Sequence, residues 1–110
     1  MIRFFFLGLL IVFPGIIAAQ QITVRSGEHG EFTRLVFDIP VGTNWEVNPG
    51  PEENQLRLSL KMATARFDTS AVFDKITRER ISDVTTVPNE ASIDISLACD
   101  CVSEAFVLRN

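Results

Sequence analysis

Beyond residue 20, apolar and polar side chains alternate with period two along most of the chain, the pattern of strands buried on one face. Residues 21–25 set Ile22 and Val24 on one side. From Thr33 to Ile39, Leu35, Phe37 and Ile39 alternate with Arg34, Val36 and Asp38, and Pro40 stops the strand by removing a ladder donor. A short strand over Trp45-Glu46-Val47 is closed by Asn48-Pro49-Gly50-Pro51. The alternation is unbroken from Leu56 to Met62 and recurs from Ser92 to Leu97. Segments led by Ile81 (to Val87) and by Ala105 (to Leu108) complete the expected set.

One stretch breaks the period. Asp68, Thr69 and Ser70 are good helix N-caps, and Val72, Phe73 and Ile76 follow at near-helical spacing, so a short helix over 70–76 is expected as a packed connector. Ser26-Gly27-Glu28-His29-Gly30 and Pro88-Asn89-Glu90 are turn signals. The fold class that follows is all-β, a small β-sandwich of about seven strands with one short helix. The two halves also look alike: each has an Ile-led strand, a turn, and a second alternating strand (RLVFDI, SIDISLA). On that comparison the second half lacks a counterpart of Leu56 to Met62. A final strand is then expected to be missing, to be supplied by a partner or by further chain, unless the second half is simply shorter.

The first 20 residues do not fit this domain. MIRFFFLGLLIVFPGIIAAQ has one cation, Arg3, then an uncharged apolar run to Ala19, with Ala18 and Ala19 before polar Gln20, the layout of a secretory signal peptide. The run is interrupted by Pro14 and Gly15 and is shorter than the roughly 20 residues of a comfortable membrane span, so cleavage is favoured over an uncleaved anchor. The expected organisation is a signal peptide over 1–20, a β-domain over 21–110, a periplasmic location, and no stable membrane span once the leader is removed.

Charge narrows the partners. The 110-residue chain carries a net charge of −4, and because Arg3 is the only charged residue among residues 1–20, the mature part carries −5. An acidic domain with scattered cations gains little from phosphate neutralisation, so nucleic acid is not an expected partner. A domain this small buries only about 60–65% of its unfolded surface, which leaves little stability in reserve.

Taken in order, VRSGEHGEFTRLVFDIP, WEV, LRLSL, RFDTSAVFDKI and SLACDC resemble the AMIN-type domain of exported bacterial proteins, over residues 22–110. The series TRLVFDIP, an aromatic-led strand, then LRLSL is the distinctive part. The resemblance implies a β-sandwich of two similar sheets, found beside murein amidases and secretin subunits, that localises its host by binding peptidoglycan or envelope proteins. Two departures stand out: the family's final strand is absent, and no catalytic domain is attached in this chain.

The residues supply few candidates for chemistry. His29 is the only histidine, so neither a multi-histidine metal site nor a histidine-based nucleophile pair can be assembled on it, and no cofactor is expected. At a turn it is instead a candidate ligand contact. Arg25, Arg34 and Arg57 fall on polar strand faces. Were the strands neighbours, they would form a row able to grip carboxylates such as those of murein peptide stems, the alternative being an ordinary charged face paired with Asp38 and Glu46. Arg25, His29 and Arg34 are therefore the candidate ligand-binding residues. Trp45 offers a flat face for a sugar ring but fits a core position better. Glu52, Glu53, Asp94 and Asp100 are expected to face solvent, which makes general acid-base work improbable for them. Cys99 and Cys101 would lie about 6.5–7 Å apart on a continuing strand, at the limit for a bond, so a strained disulfide and two buried thiols both stay open. The functional expectation is a non-catalytic localisation module; the alternative is a structural module that captures a strand.

Overall fold

In the computed structural model, residues 20–108 are described. The expected leader, residues 1–20, lies outside them except for Gln20, which already belongs to the first strand. Seven strands follow in order: β1 (Gln20–Glu28), β2 (Thr33–Phe37), β3 (Trp45–Pro49), β4 (Gln55–Leu60), β5 (Ala65–Asp68), β6 (Ile81–Thr86) and β7 (Ser92–Leu97). They form a three-stranded sheet of order β2-β1-β5 and a four-stranded sheet of order β3-β4-β7-β6. The fold is all-β, a small sandwich.

The core lies where the alternation puts it. Ile22 and Val24 of β1 meet Leu58 and Leu60 of β4 and Ile93 of β7, with Ile81 and Ala91 at the margin of the second sheet. Val72 and Ile76 come from the connector between β5 and β6. Leu35, Phe37, Trp45 and Phe67 pack round this cluster half-buried, so Trp45 is a core residue.

Several elements differ from the sequence expectation. β1 runs on to Glu28, because Ser26, Gly27 and Glu28 pair with Leu35, Arg34 and Thr33 and the turn proper occupies residues 29–32. The helix expected over 70–76 is a single 3-10 turn, Val72–Asp74; Asp68 caps the amide and hydroxyl of Ser70, but the hydrogen bonds do not propagate. β5, absent from the sequence reading, pairs parallel with β1 from Gln20↔Ala65 to Thr23↔Asp68. Ala105-Phe106-Val107-Leu108, expected as a strand, joins no sheet, and its side chains are exposed. The similar halves do not build separate sheets either. β3 and β4 of the first half join the β6–β7 hairpin of the second, through the antiparallel β4–β7 pair.

The outer face of β4 and β7 carries a polar ladder. Gln55 Nε2 donates to Ser96 Oγ (3.3 Å), Arg57 holds Asp94 through Nε–Oδ1 (2.7 Å) and Nη2–Oδ2 (2.9 Å), and Ser92 Oγ donates to Ser59 Oγ (3.0 Å). Asp94, expected in solvent, is only 8% exposed. The central position of its strand causes this: Arg57 lies across it on β4 and Thr85 on β6. A carboxylate this enclosed is retained because a bidentate guanidinium meets both of its oxygens.

Candidate functional site

The tip of the β1–β2 hairpin gathers two of the three candidate residues, His29 and Arg34, and one that the sequence did not disclose, Phe32. The tip closes when the His29 amide donates to the Phe32 carbonyl (2.9 Å) and the Glu31 amide to the His29 carbonyl (2.6 Å). Gly30 sits between them at φ +72°, a left-handed conformation that favours glycine. This turn brings the His29 imidazole parallel to the Phe32 ring, centroids 4.4 Å apart and planes 10° from parallel. The Arg34 guanidinium carbon lies 5.6 Å from the same ring's centroid. Phe32 is 42% exposed, a large apolar side chain left in water at a loop tip. The alternation pattern gave no hint of it, because Phe32 lies in the turn between two strands.

Arg25 and Arg34 share the outer face of the three-stranded sheet, opposite Val36 and Gly27 respectively. Only one has a charge partner. Arg25 holds Asp38 with Nε–Oδ2 at 3.0 Å and Nη2–Oδ1 at 2.7 Å, whereas among the described residues Arg34 makes no ion pair. Arg57 lies in the other sheet and is engaged by Asp94, so the three-arginine row does not form. The row required β4 to neighbour β1 or β2, and it neighbours β3 and β7 instead.

The tip is braced from outside its own sheet. Arg80, in the turn before β6, donates through Nη1 to Glu28 Oε2 (2.7 Å) and Thr33 Oγ1 (3.3 Å), and through Nη2 to the Gly30 carbonyl (2.8 Å). Thr33 Oγ1 in turn lies 3.2 Å from both carboxylate oxygens of Glu28. Beneath the tip, the Ser26 hydroxyl donates to the Val72 carbonyl, tying β1 to the connector.

No family model, no curated protein and no solved structure matches the chain. Stacked rings beside a guanidinium suit a planar or CH-rich ligand that carries negative charge.

Two other places were candidates. Cys99 and Cys101 are bonded, with Cα atoms 5.2 Å apart. The spacing expected of a continuing strand does not apply because β7 ends at Leu97 and the chain bends through residues 98–100. A shallow hollow of about 400 Å³ lies between β5 and the β6–β7 turn, lined by Arg66, Phe67, Val87, Pro88 and Asn89 among others, and contains none of the candidate residues. Among the described residues, no three of His, Cys, Asp and Glu gather where they could hold a metal ion.

The charges on this sheet make a pH prediction. Hydrogen bonding to Arg25 holds the Asp38 carboxyl below its ordinary value, and the Ser70 hydroxyl and amide do the same for Asp68. A carboxyl whose folded-state pKa is depressed adds stability above its unfolded value, about 3.9, and loses it as pH falls through the lower folded value. Acid unfolding below about pH 4 should therefore be partly flattened by Asp38→Asn. Because the pair is exposed, the loss should be small even at pH 7, where it is largest. Urea midpoints at pH 7 and pH 3 check it: Asp38→Asn should cost more at pH 7 than at pH 3, and a loss at pH 3 as large as that at pH 7 would contradict the sign.

Proposed function

We propose that the chain is an exported, non-catalytic module of the bacterial envelope, AMIN-like, that recruits its host protein to peptidoglycan or to an envelope protein assembly. The leader pattern of residues 1–20 supports export to the periplasm. The observation that carries the binding role is the β1–β2 tip, where His29, Phe32 and Arg34 present two stacked rings and an unpaired guanidinium to solvent on a braced turn. The rings suit the CH-rich face of a sugar, and the guanidinium suits the carboxylates of a lactyl ether or peptide stem. Arg25 contributes less than its position suggested, because Asp38 occupies its fork.

Pelleting of the mature chain with purified murein sacculi tests this. Binding that survives moderate salt and weakens about tenfold in Arg34→Ala is expected, the loss of one charge-assisted contact. Failure of the unaltered chain to pellet would overturn the reading.

A second reading has its own observation. Val102, Phe106, Val107 and Leu108 are exposed apolar residues outside either sheet, while β2, β3, β5 and β6 are sheet edges. A structural module that adds a strand from a partner would use such groups. Concentration-dependent dimerisation without murein pelleting is the result that favours it.

A further inference from the structure

We infer that Arg80 is the positioning residue of the β1–β2 tip, an inference that rests on the binding role proposed for that tip. Arg80 lies in the turn that leads into β6 of the opposite sheet, yet its side chain reaches three acceptors on the hairpin: the Glu28 carboxylate, the Thr33 hydroxyl and the Gly30 carbonyl. These acceptors bracket the turn. Glu28 and Thr33 are the last cross-strand pair of the β1–β2 ladder, and Gly30 is the left-handed residue between His29 and Phe32. One planar group thus holds both strand ends and the apex of the loop.

The other end of the clamp is fixed as well. The Arg80 carbonyl accepts from the Ala98 amide at 2.8 Å, immediately past the end of β7, and Cys99 Sγ lies 3.8 Å from the same oxygen. The backbone of Arg80 is therefore anchored to the second sheet beside the Cys99–Cys101 bond, while its guanidinium grips the first. An isolated four-residue turn with a glycine at its apex would sample many ring orientations and lose that freedom on binding. Held from behind, the His29–Phe32 stack is ordered before the ligand arrives, and the ordering cost is removed from the affinity. The clamp needs an arginine, because three acceptors in different directions match a rigid fork of donors and not a point charge.

Arg80→Ala and Arg80→Lys, measured beside an exposed ion-pair control, Lys61→Ala, test the inference in three readouts. Arg80→Ala should speed amide exchange at His29 and Glu31 at least about tenfold, weaken murein pelleting about tenfold, and lower the urea midpoint no more than the control does. Arg80→Lys should recover only a minor part of either loss. Unchanged exchange at the tip in Arg80→Ala, full recovery by lysine, or a fall in urea midpoint that accounts for the faster exchange would each overturn it. If the unaltered chain fails to pellet with murein, the binding role falls, and the exchange comparison still decides whether Arg80 orders the tip.

Discussion

Ile93→Ala should lower the urea unfolding midpoint by about 1 M or more. Ile93 is fully buried near the start of β7, an inner strand of its sheet, with Leu58 of β4 on one side and Thr86 of β6 on the other. Truncating a buried isoleucine costs about 2–5 kcal/mol, the lost transfer energy plus the cavity. A domain of this size has roughly 5–13 kcal/mol in total at 25 °C, and less when warmed. Ile93→Val, which removes one methylene, should cost only about 0.5–1.5 kcal/mol. Urea unfolding followed by Trp45 fluorescence reads both variants. A midpoint for Ile93→Ala within about 0.3 M of the unaltered chain, at unchanged slope, would mean that β7 does not lie at the centre of the core.

Phe32→Ala should weaken murein binding by about tenfold or more while leaving the unfolding midpoint nearly unchanged. A side chain this exposed contributes little to the core, so its truncation leaves folding alone, and the His29 ring loses the surface against which it stacks. The loss should persist at 0.5 M salt, on the order of several times physiological ionic strength, where a purely coulombic contact is screened within about 4–5 Å. Phe32→Tyr, which keeps the ring, should bind nearly as well as the unaltered chain. Equal losses in Phe32→Ala and Phe32→Tyr would argue against a stacking role for the ring.

These two residues mark the boundary of what the sequence discloses. Ile93 sits in a faultless alternation, and the physical rule behind it is local: successive strand side chains point to opposite faces, so the buried set can be counted off. The same rule located β2, β3, β4 and β7 to within two residues, whereas β6 was placed by the likeness of the two halves and not by alternation. β5 escaped it because a four-residue strand with Ala65 and Phe67 inward is too short to display a period, and its partner β1 lies more than forty residues earlier. Ala105 to Leu108 has strand-like composition, but composition cannot say whether a ladder is there to receive it.

The candidate site was half visible for a similar reason. His29 and Arg34 could be placed near a turn from local signals. Phe32 carries no local signal because it lies in the turn between two strands, and the role of Arg80 depends on a contact fifty residues away in sequence. The burial of Asp94 and the separation of Arg57 from Arg25 and Arg34 were likewise set by which strands neighbour one another, which is a property of the whole topology.

The most direct measurement is a titration of isotope-labelled mature chain with soluble muropeptides, followed by backbone amide chemical shifts. The account expects saturable shifts confined to residues 28–34 and the Arg80 turn, with the polar ladder of β4 and β7 unmoved. Shifts clustered instead on the β5 edge or on residues 102–108, or none at millimolar ligand, would contradict it.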